Sequence, residues 1–126
     1  MTAMPADLDA TSLTPGERRV VERATQRLQE TLGDALHGVW LYGSRARGEP
    51  GHDESDVDLL VITHPPMPDR ASITGVFWDA ALAEGDRPAF FSVHVHDTDW
   101  LAQRRSIASF YIQEVDRDKV VLAGQP

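Results

Sequence analysis

Two aspartates separated by a single valine stand at the start of the most apolar stretch of the chain. Asp56 and Asp58 lead into the run VDLLVIT at residues 57–63. If this run is a strand, both side chains point to the same face, with backbones roughly 6.5–7 Å apart. Two carboxylates at that spacing repel each other unless a cation lies between them, and Mg²⁺ takes carboxylate and phosphate oxygens as ligands. The pair therefore favours a metal site for phosphoryl transfer; an acidic turn that leads into a strand is the alternative interpretation.

A Gly-Ser pair precedes the aspartates, between the apolar stretch GVWLY and the polar stretch RARGE. Gly43 allows the chain to turn sharply and lets a ligand approach the backbone. Ser44 stands where a helix cap belongs, and the free N–H groups at such a start can hold a phosphate. Arg45 and Arg47 could pair with the oxygens of a triphosphate. The alternative is a plain strand-to-helix turn with two solvated arginines that balance nearby acids.

A further stretch at 88–97, PAFFSVHVHD, alternates between apolar and polar residues and predicts a strand. Phe91, Val93 and Val95 would face one way, and the opposite face would carry Phe90, Ser92, His94 and His96. Histidine suits Mn²⁺ or Zn²⁺ better than Mg²⁺. His94 is therefore a candidate metal ligand or base beside the aspartates, and an ordinary polar position on a sheet face is the alternative.

The elements that must position these residues follow from periodicity and capping signals. Thr14, Pro15 and Glu17 form a capping box at the start of a helix that Gly33 ends. Strands are predicted at 38–43, 57–63 and 88–97, a helix at 71–84, and a short closing edge strand at 116–124. One helix after the third strand would carry Leu101, Ile107, Phe110, Tyr111 and Glu114, with Phe110 and Tyr111 in the core.

This order of elements predicts an α/β (or α+β) fold, with a small mixed sheet of about three to five strands flanked by helices. Residues 1–12 are expected to form a flexible N-terminal arm, and residues 13–126 a single domain. The chain has 126 residues, of which 41% are apolar, which is enough for one core.

Composition excludes several classes of function. The net charge is −8, with 20 acids against 12 Lys and Arg, which argues against general nucleic-acid binding. No apolar run approaches the roughly 20 residues that a membrane span needs. The chain contains no cysteine, so disulfides and thiolate zinc sites are excluded. Together with the absence of a signal-peptide pattern, these features indicate a cytoplasmic location.

The combined pattern of strand, Gly43-Ser44, short helix, Asp56-Val57-Asp58 and strand resembles the nucleotidyltransferase superfamily, which has the DNA polymerase beta-like fold. The spacing is most similar to the minimal nucleotidyltransferases, which are often encoded beside a HEPN-domain partner. The strong match covers about residues 38–63 and is specific because both motifs occur together.

The resemblance implies transfer of a nucleoside monophosphate from a nucleoside triphosphate, with ATP the expected donor, to a hydroxyl of a partner protein or small molecule. Asp56 and Asp58 would hold Mg²⁺ or Mn²⁺ and carry catalysis, and Gly43 and Ser44 would hold the phosphates. A HEPN-type protein, another partner or a second copy of the chain is expected to complete acceptor recognition. The pair would then act as antitoxin and toxin.

The chain departs from the superfamily at one position. Members usually add a third carboxylate from the next core strand, and the predicted register places Ser92 there. The alternative function is therefore a catalytically impaired member of the same fold that serves as a binding or antitoxin module. A third hypothesis is an unrelated small α/β domain with a chance motif.

Overall fold

The computed structural model of the chain describes residues 6–49 and 56–126. Helices and strands alternate in these ranges in the order α1 (Pro15–Leu32), β1 (Leu36–Tyr42), α2 (Gly43–Ala46), β2 (Val57–Thr63), α3 (Arg70–Ala83), β3 (Phe91–Asp97), α4 (Thr98–Ser106), α5 (Phe110–Asp118) and β4 (Val120–Gly124). Short 3₁₀ turns occupy Ala6–Ala10, Gly33–Ala35 and Pro88–Phe90. No helix in the described ranges is both long enough and apolar enough to cross a membrane.

The first helix begins and ends where the sequence predicts. The Thr14 hydroxyl accepts a hydrogen bond from the Glu17 N–H at 3.1 Å, and the Glu17 carboxylate accepts one from the Thr14 N–H at 2.8 Å. These two bonds are the predicted capping box. Gly33, with a positive φ of 52°, ends the helix.

Within the described residues, four strands form one mixed sheet in the order β3-β2-β1-β4. β1 runs antiparallel to β2 and to β4, whereas β2 and β3 are parallel. Every residue of β2 except Asp58 is buried, because helices cover both faces of this central strand. This burial explains the nearly continuous apolar sequence. The predicted mixed sheet with flanking helices is confirmed. β4 is the predicted edge strand, but it begins at Val120, because residues 116–118 belong to helix α5.

Two hydrophobic clusters lie on opposite faces of the sheet. Helices α1 and α3 enclose the larger cluster, which includes Val20, Val21, Leu28, Val39, Leu41, Leu59, Val61, Ile73 and Phe77. Helices α4 and α5 enclose the smaller one, formed by Trp40, Leu60, Ile62, Leu101, Ile112 and Val115. Burying each such side chain stabilises the fold by roughly 1.5–3 kcal/mol. The clusters therefore fix the strand ends that carry the polar residues described below.

The segment after β3 forms two helices, and the prediction of one continuous helix was wrong. Ala108, between α4 and α5, has a positive φ of 51°. The Ser109 N–H donates to the Arg104 carbonyl at 3.0 Å, so α4 closes with a left-handed residue. Glycine or asparagine usually takes this conformation, and an alanine there gives no signal in the sequence.

This break also changes which residues of α5 face the core. Ile112 and Val115 are buried, whereas Phe110 is 75% exposed and Tyr111 is 38% exposed. The assignment of Phe110 and Tyr111 to the core was therefore wrong. The break at Ala108 interrupts the helical periodicity of α4, so that different positions of α5 face the core.

Part of the predicted arm packs against the domain. Leu8 and Leu13 are buried, and the Ser12 N–H donates to the Arg45 carbonyl at 2.9 Å. Residues 6–12 thus line the region beside α2. Residues 1–5 of the arm lie outside the described residues, as do residues 50–55 of the loop between Gly43-Ser44 and the aspartates.

Candidate functional site

Several of the predicted site residues lie at one end of the sheet, on the face that α4 and α5 cover, whereas Arg45 points away from it. Asp58, near the start of β2, lies opposite Tyr42, the last residue of the antiparallel strand β1. On its other side Asp58 is paired with Ser92 of the parallel strand β3. The predicted register, which places Ser92 next to the aspartate pair, is confirmed. His94, two residues further along β3, lies on the same face.

The Gly-Ser turn is in direct contact with the second aspartate. Gly43 follows Tyr42 with a positive φ of 82°. A Cβ atom added at Gly43 would lie 2.5 Å from Asp58 Oδ2, a distance that real Cβ atoms essentially never show. Glycine is therefore required both for the turn and for the carboxylate that lies against it. The turn leads directly into the short helix α2, which contains Ser44.

The Asp58 carboxylate is half-buried, and within the described parts of the chain no hydrogen bond or ion pair satisfies it. Burial raises the pKa of Asp58, and the neighbouring Asp56 carboxylate raises it further. His94 and Arg47 act in the opposite direction on this pKa. Because a carboxylate in such a place gains most from a nearby cation, this environment fits a divalent metal ion bound between protein and substrate oxygens.

Asp56 is exposed at the mouth of the site, and Asp58 lies deeper. Among the described residues, no three His, Asp or Glu side chains form a group close enough to hold a metal ion. Asp56 and Asp58 are two candidate oxygen donors, and a metal ion between them would need further oxygens, such as those of substrate phosphates. This arrangement is common for Mg²⁺ sites that bind a nucleotide.

His94 is engaged with the neighbouring serine. Its Nε2 atom lies 3.2 Å from Ser92 Oγ, and its ring centroid is 6.5 Å from that of Tyr42. The imidazole is exposed and lies within electrostatic reach of Asp58. The site thus presents a serine and a histidine on β3, beside Asp58 of β2 and Asp56, which precedes that strand.

Arg45 points into the protein. Its side chain is 5% exposed, donates to Ser12 Oγ at 3.0 Å and to the Ser12 carbonyl at 2.9 Å, and forms an ion pair with Glu17. Since Glu17 is also part of the capping box of α1, Arg45 joins the arm, α1 and α2. This placement gives Arg45 a structural role, in contrast with the predicted contact to phosphate.

Arg47 is the arginine on the open side of the site. Its guanidinium forms ion pairs with Glu49 and with Asp118, at the end of α5, and it is 40% exposed. The charge of Arg47 also acts on the pKa of Asp58. Surface ion pairs of this kind contribute little and exchange readily, so this side chain can turn to a bound anion.

Two tyrosines complete the site, and the sequence reasoning missed both. The Tyr111 hydroxyl donates to the Tyr42 hydroxyl at 2.8 Å, and the two rings meet edge to face at 5.8 Å. Burial raises the pKa of both phenols, and the charge of Asp58 raises it further. Side chains two residues apart in a strand point to the same face, so Trp40 and Tyr42 lie on one face of β1. Because Tyr42 also directly precedes Gly43, the sequence could have placed it beside the Gly-Ser turn.

The comparisons with known proteins identify the family of the chain. The sequence profile described as "Nucleotidyltransferase domain" matches residues 20–122. No curated protein sequence gives a significant match.

Three solved structures of low sequence identity are similar to this chain. A structure described as a toxin-antitoxin with AMP-PNP is 22% identical, with a TM-score of 0.51, and the match covers 82% of this chain and 73% of that one. A HEPN toxin in complex with an MNT antitoxin from Shewanella oneidensis is 18% identical, with a TM-score of 0.47 and coverages of 86% and 73%. A protein from Sulfolobus solfataricus assigned as a nucleotidyltransferase is 16% identical, with a TM-score of 0.49 and coverages of 99% and 93%.

Proposed function

Because this chain belongs to the nucleotidyltransferase domain family, we propose that it transfers a nucleoside monophosphate from a nucleoside triphosphate, with ATP as the donor, to a hydroxyl group. The observation that carries this proposal is the Asp58 carboxylate, which is half-buried against Gly43 without a hydrogen bond from the described residues. Burial raises the pKa of this carboxyl group, so its charged form gains stability when a cation binds beside it. A metal-dependent reaction gives this placement a function.

Each residue of the site has a role in this proposal. Asp56 and Asp58 hold the divalent cation, Mg²⁺ or Mn²⁺. When bound, the cation neutralises charge on the phosphates and on the leaving pyrophosphate. The backbone of Gly43 and the hydroxyl of Ser44 hold the phosphates, and Arg47 pairs with a phosphate oxygen. His94 accepts the proton of the attacking hydroxyl, since it stands on β3 at the edge of the site.

The reaction needs little covalent chemistry from the protein, because phosphoryl transfer is accelerated mainly by positioning and charge neutralisation. The strands β1, β2 and β3 supply the positioning, since they fix Tyr42, Asp58 and Ser92 in one row. The exposed position of His94 leaves a path by which its proton returns to solvent.

A nucleotide-labelling experiment tests this proposal. The chain is incubated with ATP labelled in the α-phosphate, Mg²⁺ or Mn²⁺, and candidate acceptors. We expect label transfer that Asp58→Asn abolishes. Asp79→Asn is the matched control, because Asp79 is an exposed aspartate on α3, on the other face of the sheet. Label transfer that survives Asp58→Asn would remove the assigned site from the reaction.

The acceptor is proposed to come from a partner protein, of the HEPN type, or from a second copy of this chain. Ile107 and Phe110 support this, because they are 58% and 75% exposed beside Tyr111. Exposed apolar groups of this size often mark interaction surfaces. Light scattering of the chain, alone and mixed with such a partner, tests it: monomers under both conditions would count against the proposal.

A second candidate function follows from Ser92. Its place beside Asp58 lacks the acid that active relatives are expected to carry there, so the chain would bind nucleotide or partner without turnover. Ser92→Asp separates the two functions. If wild-type protein transfers no label and Ser92→Asp does, the missing acid is the defect, and the wild-type chain is a binding module. If wild-type protein transfers label, His94 and Ser92 are sufficient for the reaction without a third acid on β3.

A further inference from the structure

Hydroxyl groups of this chain itself surround the site. In the described residues they belong to Ser44 in the phosphate turn, Tyr42 on β1, Ser92 on β3 and Tyr111 on α5. A nucleotidyltransferase needs a hydroxyl as acceptor, so each of these could receive the nucleotide that the proposed function delivers. Their accessibility and chemistry distinguish them.

Tyr111 is the hydroxyl best placed to act. The two serines are aliphatic alcohols, whereas Tyr111 carries a phenol, which is the more acidic kind of hydroxyl, although burial raises its pKa. Tyr42 belongs to the sheet and packs against the smaller cluster. Tyr111 instead lies in the first turn of α5, directly after the break at Ala108, and is 38% exposed.

The Tyr111 hydroxyl also lies over the row of site residues. It bonds to the Tyr42 hydroxyl at 2.8 Å, and Tyr42 lies directly across from Asp58 in the sheet. Cross-strand neighbours of this kind have Cβ atoms about 4.5–5.5 Å apart. The phenol is thereby held one hydrogen bond away from the cross-strand neighbour of Asp58.

We propose that Tyr111 is an acceptor for the nucleotidyl group, so that the chain modifies itself within one molecule; this rests on the proposed function. The phenolic oxygen attacks the α-phosphorus, and the new O–P bond forms as the bond to pyrophosphate breaks. Pyrophosphate leaves with that electron pair, and the phenolic proton passes to solvent. The product is a phosphodiester between Tyr111 and the nucleoside.

The modification limits the activity of the site. A modified Tyr111 has no proton to donate, so its hydrogen bond to Tyr42 is lost. The attached nucleotide then occupies the opening between α5 and the sheet. Self-modified chains are therefore expected to bind a second nucleoside triphosphate more weakly than unmodified chains.

The test compares Tyr111→Phe with Asp79→Asn, an exposed substitution on the other face of the sheet. Wild-type protein and both variants are incubated with ATP and Mn²⁺, and intact mass and peptide mapping locate any added nucleoside monophosphate. We expect one addition on Tyr111 in wild-type and Asp79→Asn proteins, and its loss in Tyr111→Phe. The rate per molecule stays constant on dilution, because the reaction is intramolecular.

Binding measured without turnover separates the two proposals. A fluorescent, non-hydrolysable triphosphate analogue with Mn²⁺ should bind wild-type and Tyr111→Phe proteins equally, and Asp58→Asn poorly. If the analogue binds and label reaches another acceptor but never Tyr111, self-modification is overturned and the proposed function stands. If the analogue binds no variant and no label forms, both fail.

Discussion

Replacing Gly43 with alanine tests the contact on which the site depends. Gly43 has a φ of +82°, a conformation that costs a non-glycine residue about 1–2 kcal/mol. The added Cβ would lie 2.5 Å from Asp58 Oδ2, whereas ordinary contacts begin near 3.4 Å. The carboxylate must therefore move by about 1 Å, because the turn on the other side of the contact is backbone.

That displacement predicts a larger effect on activity than on stability. A reacting group that is misplaced by about 1 Å can lose roughly 100-fold in rate. We therefore expect Gly43→Ala to lower the free energy of unfolding by about 1–2 kcal/mol and the rate of nucleotide transfer by about 100-fold. Urea unfolding and initial rates of label transfer measure the two quantities.

Gly33→Ala is the matched control. Gly33 also has a positive φ, 52°, but a Cβ there would meet no atom within 4 Å. Its alanine variant should therefore lose a similar amount of stability and keep its transfer rate. Equal losses of rate in Gly33→Ala and Gly43→Ala would contradict the proposed displacement of Asp58, since backbone strain at a positive φ would then account for both losses.

The remaining predictions concern charge. Burial raises the pKa of Asp58. At pH values between the usual pKa and the raised one, the folded chain therefore binds more protons than the unfolded chain. The free energy of unfolding consequently falls as the pH rises through this range. Asp58→Asn should accordingly raise the melting temperature at pH 7 in metal-free buffer. It should also remove the stabilisation of the fold by Mn²⁺, which for wild-type protein is about 2.7 kcal/mol when the Mn²⁺ concentration is 100 times the Kd. A variant that Mn²⁺ stabilises as much as the wild type would contradict this. Arg45→Met should cost up to about 3–5 kcal/mol, because the partly buried Glu17 would lose its charged partner and keep only the Thr14 N–H, and should leave nucleotide affinity unchanged once the protein is folded. Arg47→Met should change the stability by at most about 1 kcal/mol and should weaken nucleotide binding in a titration with a fluorescent analogue. If Arg45→Met instead weakened binding and Arg47→Met destabilised the fold, the roles assigned to the two arginines would be wrong.

Much of this architecture could be predicted because local signals and burial agree. The capping box at Thr14 sets the start of α1, and the continuous apolar run 57–63 identifies the central strand β2. Alternation in β3 placed Ser92 and His94 on the correct face, and counting along the strand gave their register against Asp58. These features depend on periods of two and 3.6 residues, which the sequence records directly.

The parts that failed depend on tertiary context. Ala108 adopts a left-handed conformation that alanine rarely takes, so the break between α4 and α5 left no trace in the sequence. Tyr111 was placed in the core for that reason. Arg45 stands next to Ser44 in the chain but turns inward to Glu17, an acid 28 residues earlier. Neither the direction of that side chain nor the pairing of Tyr42 with Tyr111 follows from local pattern.

The central claim is that Asp56 and Asp58 bind a divalent cation beside phosphates held at Gly43 and Ser44. A crystal structure of the chain with Mn²⁺ and a non-hydrolysable triphosphate analogue tests it most directly, because the anomalous signal locates the metal. We expect manganese within coordination distance of both aspartates, with the triphosphate against the Gly43–Ser44 turn. Manganese or triphosphate bound elsewhere, with Asp58 uncoordinated, would contradict the account.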